Sequence, residues 1–154
     1  MGGRVEGKVA IVTGSTSGIG RGIAVLLARE AARTIIVGRN LESGLEVVEE
    51  IQDSGGEAKF IQTDITRESD CKKLVQAALD SFGGVDILVN NAGIFPRGEV
   101  LDTTEELWDQ IMAVNLKGAF FCCKHAIPVM REQGKGSIIN IGSTHAYGAR
   151  RPGI

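Results

Sequence analysis

A glycine-rich stretch between an apolar run and an amphipathic segment constrains the fold of this chain more than any other feature. The stretch reads Thr13-Gly14-Ser15-Thr16-Ser17-Gly18-Ile19-Gly20. It follows residues 8–12, which are rich in β-branched side chains and too short for a helix. Apolar residues then recur four positions apart, at 19, 23, 27 and 31. The pattern predicts a strand, a tight turn and a helix in succession.

This arrangement is typical of a nucleotide-binding loop. Glycines let the backbone approach a pyrophosphate without a Cβ clash, and the helix N-terminus offers free N–H groups and a positive dipole end. The spacing of Gly14, Gly18 and Gly20 is G-x-x-x-G-x-G and differs from the commoner G-x-G-x-x-G. A plain turn is the alternative, but the position between a strand and a helix favours nucleotide binding.

Strand-like and helical patterns alternate along the rest of the chain. Strands are predicted at residues 34–37, 58–62, 86–89 and 137–141. The next helix is predicted from the spacing of Leu41, Leu45, Val48 and Ile51. The helix after it is predicted from an apolar face that runs from Cys71 to Phe82, with Thr66 as the N-cap of the helix. A capping box at Thr103 and Glu106 begins a third helix, which runs to about Arg131 with a break near Asn115 and a kink near Pro128.

The alternation predicts an α/β fold with a doubly wound parallel sheet. Helices cover both faces, and a switch point after the first strand gives the strand order 3-2-1-4-5. A length of 154 residues with no linker or repeat predicts one domain, residues 1–154. Ligand is expected at the C-terminal strand ends.

Composition narrows the class of partner and the compartment. A net charge of −2 and a pI near 5.7 argue against nucleic acid or an anionic membrane as the main partner. Three cysteines without C-x-x-C spacing and two histidines argue against a zinc site or a disulfide framework. A reducing cytoplasm is therefore expected, and no run reaches the length of a membrane span.

Four motifs in order give the chain a resemblance to a known family. The glycine-rich stretch, Asn90-Asn91-Ala92-Gly93, Asn115 and Ser143 resemble the pattern of classical short-chain dehydrogenases/reductases over residues 8–143. The resemblance implies a Rossmann-type dinucleotide-binding domain that transfers hydride between NAD(P) and an alcohol or carbonyl. It also implies a small-molecule substrate and a homo-oligomer.

The resemblance also implies roles for individual residues. Asp64 and Ile65 would border the adenine ring, Asn115 would hold a water in a proton relay, and Ser143 would hydrogen-bond the substrate oxygen. The implied cofactor-binding set is Gly14, Ser15, Thr16, Ser17, Gly18, Ile19, Gly20, Arg39, Asn40, Asp64, Ile65, Asn90, Asn91, Ala92 and Gly93.

The end of the second predicted strand indicates the cofactor. NAD binders usually carry Asp or Glu there to hold both ribose hydroxyls. This chain has Gly38 followed by Arg39, a planar donor suited to a 2′-phosphate. NADP(H) is the predicted preference, with NAD(H) as the alternative.

Plainer interpretations exist for several of these residues. Asn90-Asn91 is also a common turn former, Asn115 could end a helix, and Ser143 could be a loop serine. His125 is expected at the surface and His145 in a loop, and Cys122 and Cys123 are expected to pack. Phe120 and Phe121 suit either a core or a subunit interface.

One departure from the family pattern concerns catalysis. The family places Tyr-x-x-x-Lys roughly a dozen residues past the serine, and this sequence ends eleven positions after Ser143. Tyr147 comes only four positions after Ser143, and Arg151 stands where lysine would follow it. The expectation is an N-terminal part of an oxidoreductase, without the family's last strands and inactive alone. A non-catalytic nucleotide-binding fragment or module is the alternative.

Overall fold

Five parallel strands form one sheet in the computed structural model, which describes residues 2–143. The strands are β1 (Val9–Thr13), β2 (Arg33–Gly38), β3 (Glu57–Gln62), β4 (Ile87–Asn90) and β5 (Ser137–Asn140). Their order is β3-β2-β1-β4-β5, and every neighbouring pair is parallel. This confirms the predicted fold class and strand order.

Helices cover both faces of the sheet. They are α1 (Gly18–Arg29), α2 (Leu41–Asp53), α3 (Glu68–Phe82), α4 (Glu105–Met112) and α5 (Ala119–Glu132), with a short 3₁₀ turn at Val100–Asp102. Ala10 and Val12 of β1 pack with α1 and α2, whereas Ile11 packs with α3 and α5. Burial on two faces explains why the strands are apolar throughout rather than alternating.

The buried faces of α1 and α2 differ from the predicted ones. In α1 the buried row is Gly20, Ala24 and Ala28, while Ile19 is 70% exposed and Ala31 lies beyond the helix end. In α2 the buried row is Gly44, Val47 and Ile51, and Leu41 and Leu45 are exposed. The small residues in these rows, Gly20, Ala24 and Ala28 in α1 and Gly44 in α2, let both helices approach the sheet closely, and Val25, Val47 and Ile51 are buried beside them.

Both predicted N-caps are wrong by one residue. Thr66 does not cap α3, because its backbone N–H and its hydroxyl both donate to the Asp64 carboxylate and the cap is Arg67. Thr104, not Thr103, caps α4 by accepting from the Leu107 N–H at 3.2 Å.

The break predicted near Asn115 is a π-helical segment, Ala113–Gly118, between α4 and α5. Pro128 lies inside α5. A π-segment widens the helix and is frequent at functional sites. Here it directs the Asn115 side chain to the loop after β4.

Asp86 ties three segments together at the N-terminal ends of the strands. Its side chain is 11% exposed, accepts from the Val9 N–H at 2.9 Å, and lies 3.1 Å from Lys135 Nζ and 3.8 Å from Lys8 Nζ. Burial alone would raise the pKa of Asp86, but the hydrogen bonds and the two ammonium groups outweigh it and leave the pKa below its usual range.

Asp86→Asn is therefore expected to lower the free energy of unfolding at neutral pH by about 1–3 kcal/mol. A depressed folded-state pKa gives stability that is present above the unfolded value of about 3.9 and is lost as pH falls through the folded value. Urea unfolding of both proteins at pH 7 and at successively lower pH checks this. A difference that stays constant as the pH falls past the unfolded-state pKa would contradict it.

Candidate functional site

A cleft of about 430 Å³ lies at the C-terminal ends of the strands. We call it the glycine cleft. Its wall is formed by the glycine-rich loop, by the loops that follow β2, β3 and β4, and by Val114 of the π-segment. Four separate loops therefore converge on one site at the switch point of the sheet, where ligands bind in doubly wound folds.

The glycine-rich loop has a backbone that side chains would disrupt. Gly14 and Gly18 have φ of 64° and 54°, in the left-handed region. A Cβ on Gly14 would lie 2.8 Å from the Ala92 Cα, and a Cβ on Gly20 would overlap the Gly14 oxygen and the Asn91 amide nitrogen. The close approach of α1 to the β4 loop depends on these glycines.

The N-terminus of α1 opens into this cleft without a side-chain cap. Ser17 is the N-cap residue but accepts no bond with its side chain, and the first turn carries no acidic residue. In α2, by contrast, Asn40 Oδ1 accepts from the Ser43 N–H at 3.0 Å. The first N–H groups of α1, at Gly18, Ile19 and Gly20, thus face a cleft that suits an anion.

Hydrogen bonds beneath the loop hold it against β4. The Thr13 hydroxyl accepts from the N–H groups of Asn91 and Ala92, both at 3.0 Å. The Asn91 amide donates to the carbonyls of Thr13 at 2.9 Å and Gly14 at 3.2 Å. Ser15 is fully buried, and its hydroxyl donates to the Val12 carbonyl at 2.6 Å. These side chains position the loop.

The β2 and β3 ends bring a cation and a carboxylate to the far end of the glycine cleft. Arg39 lines this end, and its carbonyl accepts from the Gln62 amide at 2.8 Å. Asp64 accepts from the Thr66 hydroxyl at 2.7 Å and from its N–H at 3.0 Å. The Thr66 bonds, assisted by Arg39 and Arg67, lower the pKa of Asp64 against the opposing effect of burial. Asp64 is thus ionised at neutral pH.

A second cleft of about 860 Å³ adjoins the first, and we call it the serine cleft because Ser143 lines it. The two clefts share Ile65 and the loop 91–94. Asn115 clamps this loop: its Oδ1 accepts from the Ile94 N–H at 2.8 Å, and its Nδ2 donates to the Ile94 carbonyl at 2.9 Å. Asn90 donates to Asn140 Oδ1 at 2.9 Å.

The structure brings most of the predicted site residues together. Those lining the glycine cleft are Gly14, Thr16, Ser17, Gly18, Ile19, Gly20, Arg39, Asp64, Ile65, Asn91, Ala92 and Gly93. Asn90, Asn115 and Ser143 line the serine cleft. Ser15 and Asn40 line neither, since Ser15 is buried below the loop and Asn40 caps α2.

Six residues that line the glycine cleft are absent from the predicted set: Val37, Gly38, Thr63, Thr66, Ile94 and Val114. Gly38, Thr63, Thr66 and Ile94 are direct neighbours of predicted positions, and Val37 precedes Gly38 in β2, so extending the predicted motifs by one or two residues would have included all five. Val114 enters only through the π-segment.

His125 lines neither of the two clefts. His125, predicted at the surface, is largely buried, with its side chain 18% exposed and Nε2 3.3 Å from Glu68 Oε1. His145 and Tyr147 lie outside the described residues. Within residues 2–143 there is no cluster of three or more groups that could hold a metal. None of the helices in this range has the length and apolar content to cross a membrane.

Comparisons with known proteins agree with this geometry. The sequence profile of the family described as short chain dehydrogenase matches residues 8–152. An uncharacterized oxidoreductase of Thermotoga maritima is 45% identical over 138 residues, which are 90% of this chain and 54% of that protein. A 3beta-hydroxysteroid dehydrogenase of Mediterraneibacter gnavus is 37% identical over 142 residues, covering 92% of this chain and 51% of its own.

A solved structure shows the same similarity. The crystal structure of a short chain dehydrogenase from Mycobacterium avium superposes with a TM-score of 0.86 at 38% identity, covering 92% of this chain and 56% of that one. The chain thus spans about half the length of the curated relatives it matches.

Proposed function

This chain belongs to the short chain dehydrogenase family, and on that premise we propose that it binds a nicotinamide dinucleotide in the glycine cleft. We propose further that it forms the N-terminal half of a site for hydride transfer between the nicotinamide and an alcohol or carbonyl. Family membership implies NAD or NADP as the cofactor, and the residues of this cleft suit such a group.

One observation carries the proposal: the uncapped, acid-free N-terminus of α1 faces a cleft that a Cβ at Gly14 or Gly20 would disrupt. A pyrophosphate carries the negative charge that such a terminus attracts, and the two glycines allow the close packing that holds the terminus beside the loop after β4. Asp64 and Ile65 lie at the far end, where they would border the adenine.

The residues of the serine cleft support a role in the reaction. When bound, the nicotinamide supplies or accepts the hydride. The Ser143 hydroxyl would hydrogen-bond the substrate oxygen. The Asn115 side chain is engaged with Ile94, so it would fix the loop that separates the clefts. The same clamp orients the π-segment backbone, where a relay water would be held.

NADP(H) is the proposed preference, and Arg39 is the residue that carries it. Arg39→Ala is expected to weaken NADPH binding by roughly tenfold to a hundredfold, because a charge-assisted hydrogen bond is worth about 1.5–3 kcal/mol. NADH binding should change little. Titration calorimetry with both cofactors measures this.

Arg29→Ala is the matched control, since it removes the same charge from the opposite end of α1. It should leave both affinities unchanged. Tighter binding of NADH than NADPH by the wild type would overturn the preference.

A non-catalytic nucleotide-binding module is the second candidate function. Such a module would use the glycine cleft alone. We also propose self-association through the face of α4, the π-segment and α5, because Trp108, Leu116 and Phe120 are 58%, 60% and 60% exposed there. Sedimentation velocity at low micromolar concentration tests this, and a monomer would contradict it.

A further inference from the structure

Two thiols meet in the core between α3 and α5. Cys71 and Cys122 are 0% and 1% exposed, and their sulfur atoms are 3.8 Å apart. They belong to the hydrophobic cluster that joins these helices to the sheet. The family's proposed chemistry has no use for either thiol.

The two thiols form a hydrogen-bonded chain that ends at the cleft wall. Cys122 donates to the sulfur of Cys71, and the Cys71 thiol donates to the Ile65 carbonyl at 3.4 Å. The bond from Cys122 lowers the pKa of Cys71, while the same contact and burial raise the pKa of Cys122. Cys71 is thus the thiol that more readily supplies the nucleophilic thiolate.

We propose that Cys71 and Cys122 are a modification site at which a peroxide forms a disulfide between α3 and α5. The Cys71 thiolate attacks one oxygen of hydrogen peroxide, the O–O bond breaks, and the leaving hydroxide takes up a proton to give water. The Cys122 sulfur then attacks the sulfenic sulfur, the S–S bond forms, and the S–O bond breaks as the Cys122 thiol proton passes to the departing hydroxide, which leaves as a second water. Both thiols are oxidised and the peroxide is reduced.

The geometry requires only a small closure. A disulfide places its sulfur atoms about 2.05 Å apart, so the pair must close by about 1.8 Å. Both residues lie in the first turn of their helices, Cys71 in α3 and Cys122 in α5. The third thiol, Cys123, points elsewhere: it lines the serine cleft and accepts from the Asn90 amide at 3.3 Å.

The link would act on the cleft wall through Ile65. Oxidation removes the thiol hydrogen that Cys71 donates to the Ile65 carbonyl. Ile65 lines both clefts, and its side chain fills the space that a Cβ on Gly118 of the π-segment would occupy. Losing one hydrogen bond should weaken dinucleotide binding by roughly twofold to tenfold. This consequence rests on the proposed function, whereas the link itself does not.

Hydrogen peroxide treatment of the reduced protein tests the link. Free thiols are then alkylated under denaturing conditions, and the peptides are mapped by mass spectrometry without reduction. The expected result is one linked pair, Cys71 with Cys122, which forms equally in Cys123→Ser and not in Cys71→Ala or Cys122→Ala. A link through Cys123 in the native protein, or no link in Cys123→Ser, would overturn the proposal.

Calorimetry with NADPH on reduced and oxidised Cys123→Ser separates the two claims. Weaker binding after oxidation that dithiothreitol restores supports the coupling through Ile65. A linked protein with unchanged affinity overturns the coupling. If the protein forms the link on oxidation but binds no dinucleotide in its reduced form, the proposed function is overturned and the modification site remains supported.

Discussion

Gly20→Ala is expected to weaken NADPH binding by roughly tenfold to a hundredfold, the effect of losing one charge-assisted hydrogen bond of about 1.5–3 kcal/mol. The new methyl group would overlap the Gly14 carbonyl oxygen and the Asn91 amide. Both contacts are backbone or hydrogen-bonded groups, so α1 must move away from β4. The N–H groups that face the cleft then leave their positions. Overpacking should also cost about 1–3 kcal/mol of stability.

Gly22→Ala in the same helix is the matched control. A Cβ there meets nothing within 4 Å, so the methyl group finds open space. Alanine in a helix interior is more favourable than glycine by about 0.8–1 kcal/mol. We expect Gly22→Ala to raise the urea midpoint and leave the NADPH dissociation constant unchanged. Equal affinities for the Gly20 and Gly22 variants would refute the role given to the contact between α1 and β4.

The order of the strands was predictable because it depends on features that are local in sequence. Alternating apolar runs and amphipathic segments indicate a parallel sheet, and crossover handedness limits the topologies. The face of α1 that packs against the sheet was not predictable from the same features. The prediction favoured large apolar residues such as Ile19, while contact with the sheet favours Gly20, Ala24 and Ala28.

The residues of the candidate site also fall into a predictable and an unpredictable group. Residues at strand ends, such as Gly14, Arg39 and Asp64, meet because parallel strands bring their C-terminal ends to one edge. Val114 could not be predicted, because Asn115 indicated a break in the helix but not the π-helical geometry that brings Val114 to the cleft. The buried position of His125 depends on how α5 packs against α3, where Glu68 lies beside it.

The 154-residue chain is expected to bind NADPH but to reduce carbonyl substrates at close to the background rate. Reduction leaves an alkoxide that needs a proton, and a free tyrosine has a pKa near 10. The family resemblance implies a nearby lysine that lowers this pKa. The 154 residues contain one tyrosine, Tyr147, with Arg151 four positions later. Arginine stays protonated and cannot exchange a proton near neutral pH.

Joining the second half of the Thermotoga maritima relative to this chain should raise turnover by roughly 10²–10⁴, the usual contribution of general acid–base catalysis. The rate at which NADPH absorbance falls with each of a panel of carbonyls measures the turnover. In the extended protein, Ser143→Ala should remove most of the gain, whereas Tyr147→Phe should leave it intact. Enzyme-like turnover by the 154 residues that Tyr147→Phe abolishes would show that Tyr147 is the acid. The role carried over from the family's Tyr-x-x-x-Lys would then be wrong for this protein.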